Sequence, residues 1–201
     1  MLFIHQLHCS FNNLRKEQIT GKYTKSDHRN RPNVVTVGDS IIKHIVPAKL
    51  RQGLKSRVIF RTFPGAKIED IYETLYLQPT LKAKPTHLIV HVGTNGLDGK
   101  SPEEITKNIS ELGEAAIEQV PDLKLSISEI ITRSDCEDND QKVQQVTRPV
   151  ESTCYLQSWE FIKLLNINKS HLNQGGLHLN RRGTTVLAHN LKHCIRTYEL
   201  N

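Results

Sequence analysis

The sequence lacks long hydrophobic runs and the cysteine patterns of metal sites. No apolar stretch among its 201 residues approaches the roughly 20 residues that a membrane-spanning helix needs. The cysteines, Cys9, Cys136, Cys154 and Cys194, include no Cys-x-x-Cys pair and no metal-ligand spacing. The pattern predicts no membrane span, no metal site, and free thiols of the kind found in a reducing compartment.

The chain also lacks internal repeats, low-complexity tracts and a convincing signal peptide. Its first residues, MLFIHQLHCSFNNLRKEQ, contain an apolar stretch that polar side chains interrupt, and no basic region precedes it. We therefore expect an intracellular, cytoplasmic protein. If the chain were instead exported, Cys136 and Cys154 would be candidates for a disulfide.

Several familiar site motifs are missing. No G-x-G-x-x-G loop occurs, and the P-loop-like stretch from Gly93 to Ser101 has five residues between its two outer glycines, one more than the motif allows. The elbow G-x-S-x-G is absent too, because isoleucines follow Ser40. A nucleotide-binding function therefore has no recognisable phosphate loop to support it.

Basic residues are in excess and concentrate near the N terminus. The formal net charge is +6, and much of it comes from Arg15, Lys16, Lys22, Lys25, Arg29 and Arg31. We expect residues 1–32 to be a basic, poorly structured tail and residues 33–201 to form the folded domain. The tail is interpreted as a solvated linker, with weak nucleic-acid contact as the alternative.

From residue 33 onward, apolar runs alternate with segments of helical period. The runs predict strands over residues 33–37, 57–63, 86–92, 124–131 and 159–165. Helices are expected over 41–54 with a break at Pro47, and over 68–77, 101–120 and 184–198; the polar stretch 134–153 is expected to be a loop with a helical turn or two. Uniformly apolar strands that alternate with helices favour a three-layer α/β/α sandwich with about five parallel strands.

Small polar clusters follow three of the predicted strands. They are Gly38-Asp39-Ser40, Phe63-Pro64-Gly65 and Gly93-Thr94-Asn95. Ligand sites in parallel sheets form at the carboxyl ends of the strands, so the three clusters are expected to share one edge. This shared edge is the first indication of function.

Ser40 is the candidate nucleophile, although a serine at a strand-to-helix junction is more often a helix cap. A nucleophilic serine needs an imidazole that takes its proton. His178 is the preferred base because it precedes the last helix on a loop that faces the same edge, and His171 is the second choice. Asp39 is expected to support the turn by hydrogen bonding.

An oxyanion needs donors fixed in advance, and three are available at this edge. They are the Ser40 backbone N–H, the Gly65 backbone N–H and the Asn95 side-chain amide, with Thr94 as structural support. Taken singly, Gly65 is explained as a turn glycine and Asn95 as a loop residue. Their occurrence together favours a catalytic edge.

Four blocks in order resemble the SGNH (GDSL-type) hydrolase superfamily. They are VGDSI with Ser40, FPGAKIEDI with Gly65, VHVGTN with Asn95, and GLHLNRRG with His178. The amino-acid sequences of these blocks look closest to those of the esterase-like domains that accompany some LINE-type retrotransposons and related invertebrate proteins.

The resemblance implies a flavodoxin-like sandwich, no cofactor, and hydrolysis of small carboxylic esters through an acyl-serine. Ser40 would attack, His178 would act as base and then acid, and the three donors would hold the oxyanion. Two positions depart from the family pattern: Gly175 stands where the orienting Asp is usual, and Gly96 stands where Asp usually follows the GTN block.

Two functional hypotheses follow. The favoured one is a serine esterase with a weakened Ser-His dyad, since Gly175 cannot orient the imidazole of His178. The alternative is a catalytically inactive SGNH-like module that binds an acylated ligand, a protein or, through its basic tail, nucleic acid.

Overall fold

The computed structural model describes residues 31–77 and 79–200. The prediction of a basic tail over residues 1–32 falls almost entirely outside this described part and stays a prediction. The described chain forms one compact unit from Pro32 onward.

Five parallel strands form the centre of this unit, as the apolar runs predict. They are β1 (Asn33–Gly38), β2 (Arg57–Thr62), β3 (His87–His91), β4 (Lys124–Ser128) and β5 (Glu160–Ile162). Their order across the sheet is β2-β1-β3-β4-β5, and every neighbouring pair is parallel. This is the flavodoxin-like order, so the predicted fold class is confirmed.

Helices cover both faces of the sheet. They are α1 (Pro47–Leu50), α2 (Ile68–Leu77), α3 (Pro79–Lys82), α4 (Pro102–Gln119), α5 (Glu137–Leu156) and α6 (Arg181–Leu200). Short 3₁₀ turns occur at Ser40–Ile42 and Lys169–His171. None of the described helices is long and apolar enough to cross a membrane.

Successive side chains along each strand point to opposite faces of the sheet, so the buried residues form one core on each face. Val35 and Val37 of β1 pack on the side of α4 and α5, where Leu112 and Val146 are buried. Val34 points to the other face and packs with Leu187 and the rest of the α6 stripe. The two cores together explain why the strands are apolar throughout.

Two local predictions were wrong. Residues 134–153 were expected to be mostly loop, yet α5 runs over 20 residues with Val143, Val146, Val150 and Cys154 buried on one stripe. The segment 41–54 was expected to be helical, but it contains only the 3₁₀ turn and the four-residue α1. Helix α5 was missed because its sequence is mostly polar and only a narrow stripe is apolar. The helix over 41–54 was wrongly predicted because Ile41 and Ile42 are buried in a tight turn and not along a helix.

Cys136, Cys154 and Cys194 are free thiols in the described chain. The disulfide considered between Cys136 and Cys154 is therefore not formed, while Cys9 lies outside the described residues. Cys154 and Cys194 are both buried, and burial raises the pKa of each thiol to about 12.

Candidate active site

Ser40 lies just beyond the carboxyl end of β1, as the first residue of the 3₁₀ turn. The strand reaches this point through Gly38, where an added Cβ would come within 2.2 Å of the His91 carbonyl oxygen. Only glycine fits so close to the neighbouring strand β3. This close approach of the two strands lets the Asp39 amide donate to the His91 carbonyl at 3.3 Å.

Asp39 supports the turn from the interior. Its Oδ1 accepts a hydrogen bond from the Ile41 amide at 2.9 Å, which caps the 3₁₀ turn. The carboxyl group is fully buried, and Oδ2 has no well-formed hydrogen bond in the described chain. Burial raises the pKa of Asp39 to about 6, although the amides of Ile41 and Thr94 partly oppose that rise.

The structure brings Ser40 and His178 together across the fold. The Ser40 Oγ and the His178 Nε2 are 3.0 Å apart, although 138 positions separate the residues. Both side chains are half-buried. This is the hydrogen-bond distance at which an imidazole can take the proton of an attacking hydroxyl.

Backbone contacts hold the loop that carries His178. An isolated antiparallel bridge joins Leu172 to Leu179, and the Asn173 amide donates to the His178 carbonyl at 2.7 Å. On the far side, the Ser134 amide donates to the Gly176 carbonyl at 2.9 Å. His178 is thus positioned by its main chain.

Asn180 links this loop to the last helix. Its Oδ1 accepts from the Gly183 amide at 2.9 Å at the start of α6, and its Nδ2 donates to the Ser170 and Leu172 carbonyls. The position of His178 directly before a capped helix is the placement that the sequence predicted.

His171, the second choice for the base, lies elsewhere and has a structural role. Its side chain is buried and completes a capping box with Asn168, whose amide donates to the His171 Nδ1 at 3.2 Å. Within the described chain, Ser40 hydrogen bonds to His178 and not to His171.

Gly65 and Asn95 meet at a turn beyond β2. The Ala66 amide donates to the Phe63 carbonyl at 3.0 Å, which closes a turn with Gly65 at φ +81°, a conformation that favours glycine. The Asn95 Nδ2 donates to the Ala66 carbonyl at 3.1 Å. A primary amide has two N–H groups, so one further donor of Asn95 is available.

Two backbone donors at this edge have no acceptor among the described residues. Within the described chain, neither the Ser40 nor the Gly65 amide donates a hydrogen bond to another residue. The Phe63 amide donates to the Gly38 carbonyl at 2.8 Å, which ties the ends of β2 and β1 together. The predicted donors therefore lie on loops at the same edge of the sheet as Ser40.

The described part of the chain offers His178 Nδ1 no hydrogen-bond acceptor, and Gly175 occupies the position where the resemblance expects an acid. A Cβ built on Gly175 finds its nearest neighbour, the Asn173 Oδ1, at 3.6 Å. Gly175 is exposed. Asp98, the other carboxylate considered, accepts from the Asn139 side chain at 2.9 Å instead.

Arg133, which no motif in the sequence indicated, connects two parts of this edge. The Arg133 Nη1 donates to the Thr94 carbonyl at 2.9 Å, and its Nε donates to the Asp135 Oδ1 at 2.9 Å. Ser134, which lies between Arg133 and Asp135 in the sequence, donates its amide to the Gly176 carbonyl in the His178 loop. Thr94 itself is buried.

Asp140 of helix α5 binds the loop that contains Thr132 and Arg133. Its Oδ1 accepts from the Thr132 hydroxyl at 2.7 Å and from the Arg133 amide at 3.0 Å, while Lys169 approaches Oδ2 at 3.1 Å. Burial opposes ionisation, but these three donors hold the pKa of Asp140 below its ordinary value. The acidic first turn of α5, Glu137-Asp138 with Asp140, was the sequence signal for it.

A cavity of about 540 Å³ adjoins the His178 loop through Leu179 and Asn180. Its apolar wall includes Ile45, Leu50 and Ala188. Basic side chains at the same cavity are those of Lys49, Arg181 and Lys192. The cavity is large enough for a small ligand with an apolar part and an anionic part.

No protein-family profile matches the sequence, and no curated protein matches it significantly. Solved structures do match the fold. A GDSL-like lipase from Bacteroides thetaiotaomicron is 15% identical with a TM-score of 0.70, over 93% of this chain and 97% of that one. The lipase/acylhydrolase from Enterococcus faecalis is 17% identical with a TM-score of 0.69, over 83% and 96% respectively.

A third similar structure is the psychrotrophic esterase EstA from Pseudoalteromonas, in a form inhibited by monoethylphosphonate. It is 14% identical with a TM-score of 0.66, over 84% of this chain and 99% of that one. At such identities the likeness shows a shared fold: this chain has the fold of GDSL-like lipases and acylhydrolases. The coverage extends over nearly the whole length of each neighbour.

Proposed function

We propose that this chain is a serine esterase of the SGNH (GDSL-type) class that hydrolyses small acyl esters. The observation that carries the proposal is the 3.0 Å separation of the Ser40 Oγ and the His178 Nε2. It occurs at the carboxyl edge of a flavodoxin-like sheet, beside three donors suited to an oxyanion. The fold shared with lipases and esterases supports the same class.

In the proposed reaction, the Ser40 Oγ attacks the ester carbonyl carbon while its proton passes to the His178 Nε2. The Ser40 amide, the Gly65 amide and the Asn95 side chain donate to the oxygen that becomes negative. His178 then returns the proton to the departing alkoxide, which leaves an acyl-serine. Water repeats the sequence with His178 as base and releases the acid and free Ser40.

The dyad is proposed to be slow because its imidazole has no orienting carboxylate. In the protease template, replacing the triad Asp by Asn lowers kcat about 10⁴-fold through the wrong tautomer. Here the described chain supplies no acceptor at His178 Nδ1. The tautomer with its proton on Nδ1 is needed for base catalysis and is therefore not favoured over the other.

The substrate is proposed to be a small carboxylic ester. The cavity beside Leu179 is lined by neither Ser40 nor His178, so no acyl or leaving group is assigned to it.

A direct test is reaction with a fluorophosphonate, which forms a covalent adduct with an activated serine. Wild-type protein should be labelled at Ser40 and should release p-nitrophenol from short-chain esters faster than Ser40→Ala. His178→Ala should lose both properties. Equal rates for wild type and Ser40→Ala, together with no labelling, would refute the esterase proposal.

The second candidate function is an inactive SGNH-like binding module. The missing acid at Gly175 favours it specifically, and the proposed relation to esterase-like domains of LINE-type retrotransposons makes nucleic acid one candidate ligand. Residues 1–32 would then act as a basic binding arm beside the domain over 33–201. Deleting the arm should abolish salt-dependent RNA binding, while salt-insensitive binding would contradict this version.

A further inference from the structure

A second cluster of reactive side chains lies at the opposite, amino-terminal edge of the sheet. It contains His87, the first residue of β3, Glu160, the first residue of β5, and Cys194 of α6. One donor atom from each lies within 4.8 Å of the others. His87 and Cys194 are buried and Glu160 is exposed, so the cluster reaches from the core to the surface.

Ser126 of β4 lies at the centre of this cluster. Its Oγ is 2.7 Å from the His87 Nε2, 3.4 Å from the Cys194 Sγ and 3.5 Å from the Glu160 Oε2. The sulfur and the imidazole nitrogen are 4.0 Å apart. The hydroxyl therefore lies between the three groups, and it must rotate away or occupy the fourth position when an ion binds there.

From this arrangement, we propose that His87, Cys194 and Glu160 form a binding site for a transition-metal dication of the Zn²⁺ type. Imidazole, thiolate and carboxylate are the three protein ligands that zinc accepts. A hard cation such as Mg²⁺ or Ca²⁺ would instead require mainly oxygen ligands. Three protein ligands leave a fourth position, as in zinc sites that bind water or substrate.

The distances are close to those of such a site. With Zn–N of about 2.0 Å and Zn–S of about 2.3 Å, tetrahedral geometry places the two ligand atoms about 3.5 Å apart. The observed 4.0 Å between the Cys194 Sγ and the His87 Nε2 needs to shorten only slightly. Glu160 is exposed and can adjust its carboxylate to the ion.

The surroundings favour a cation. The cluster opens into a cavity of about 620 Å³, whose lining includes Glu114, Glu118 and Glu160 against the one cation Lys124.

Binding changes the protonation of the thiol. The Cys194 S–H bond breaks as the metal–sulfur bond forms, and the proton leaves to water, so charge and atoms balance. The bound dication then faces two anionic ligands and is neutralised. The Tyr198 ring lies 4.7 Å from the His87 ring and limits its rotation.

The experiment uses untagged full-length protein, stripped with a chelator and titrated with Co²⁺ or Zn²⁺. Wild type should bind a single equivalent and show a sulfur-to-cobalt charge-transfer absorption. Cys194→Ser should lose that absorption, and Glu160→Gln, a change at the exposed surface, should weaken binding at least about tenfold. Zn²⁺ should raise the melting temperature of wild type but not of Cys194→Ser.

Cys154→Ser is the matched control, because Cys154 is also buried and free but lies in α5 on the other face of the sheet. This variant should keep the absorption and the thermal shift, and so should Ser40→Ala. The proposal is overturned if wild type binds no Co²⁺, if Cys194→Ser keeps the absorption, or if Cys154→Ser loses it. Unchanged affinity in Glu160→Gln would also overturn the three-ligand assignment.

Discussion

Replacing Gly175 by Asp is expected to accelerate ester hydrolysis by about 10²-fold. This is equivalent to about 2.7 kcal/mol of transition-state stabilisation at 1.36 kcal/mol per tenfold. The carboxylate would accept the Nδ1–H of His178, favour the productive tautomer and stabilise the imidazolium. The gain is set below the about 10⁴-fold of the buried protease acid because position 175 is exposed and solvated.

The backbone at position 175 permits this change. Gly175 does not adopt a left-handed φ, and the nearest heavy atom to an added Cβ is the Asn173 Oδ1 at 3.6 Å, an ordinary contact. The neighbouring Gly176 is different, because its φ is +70° and its Cβ would come within 2.6 Å of the Asp135 amide. The substitution therefore tests chemistry at position 175 without unfolding the loop.

The assay is p-nitrophenyl acetate hydrolysis by wild type, Gly175→Asp, Gly175→Asn and Gly175→Asp combined with Ser40→Ala. Gly175→Asn has nearly the same size but no charge, so it should stay within a few-fold of wild type. The double variant should return to background. If Gly175→Asp and Gly175→Asn have equal rates, an absent acid does not limit the dyad and the reasoning is refuted.

Three further outcomes follow from the same edge. Asn95→Ala should lower kcat about 10²-fold with little change in KM, as for a donor used only in the transition state, and a rise in KM alone would contradict that role. Arg133→Lys should slow fluorophosphonate labelling of Ser40 at least about tenfold, because a lysine cannot donate to both carboxylate oxygens of Asp135 as the guanidinium does. The control Arg148→Lys, an exposed change on α5, should leave the labelling rate unchanged. For Asp39, the folded pKa of about 6 exceeds the ordinary 3.8, so the folded state keeps a proton that the unfolded state releases between these values. The free energy of unfolding of wild type, measured by urea denaturation relative to Asp39→Asn, should therefore fall by about 2 kcal/mol from pH 4 to pH 7, and a pH-independent difference would refute the buried acid.

The parallel sheet and the edge that carries Ser40 could be predicted because parallel topology leaves few alternatives. Once the apolar runs alternate with helices, the residues after β1, β2 and β3 must meet at one edge, and a loop before the last helix faces it. Ser40 and His178 follow from that rule. His171 looked similar in sequence, and only the capping contact with Asn168 shows its different role.

The parts that were missed depend on contacts that no local pattern contains. Helix α5 is mostly polar and carries Pro149 within it, so a sequence period based on strong apolar residues does not detect it. The Arg133 network joins Thr94, Asp135 and Gly176, which are far apart along the chain. The metal-type cluster is likewise divided between the starts of β3 and β5 and the middle of α6.

The contacts at the His178 loop separate two roles that the triad template combines in one acid. In that template the acid both places the imidazole and selects its tautomer. Here placement comes from the main chain, through the bridge of Leu172 with Leu179 and the Ser134–Gly176 hydrogen bond. A glycine at position 175 offers no carboxylate to select the tautomer of the ring, yet the 3.0 Å contact with Ser40 is formed. A slow esterase and an inactive module would share this geometry, so the contact distance does not distinguish them. The rate of ester hydrolysis by Gly175→Asp, compared with that of Ser40→Ala, does.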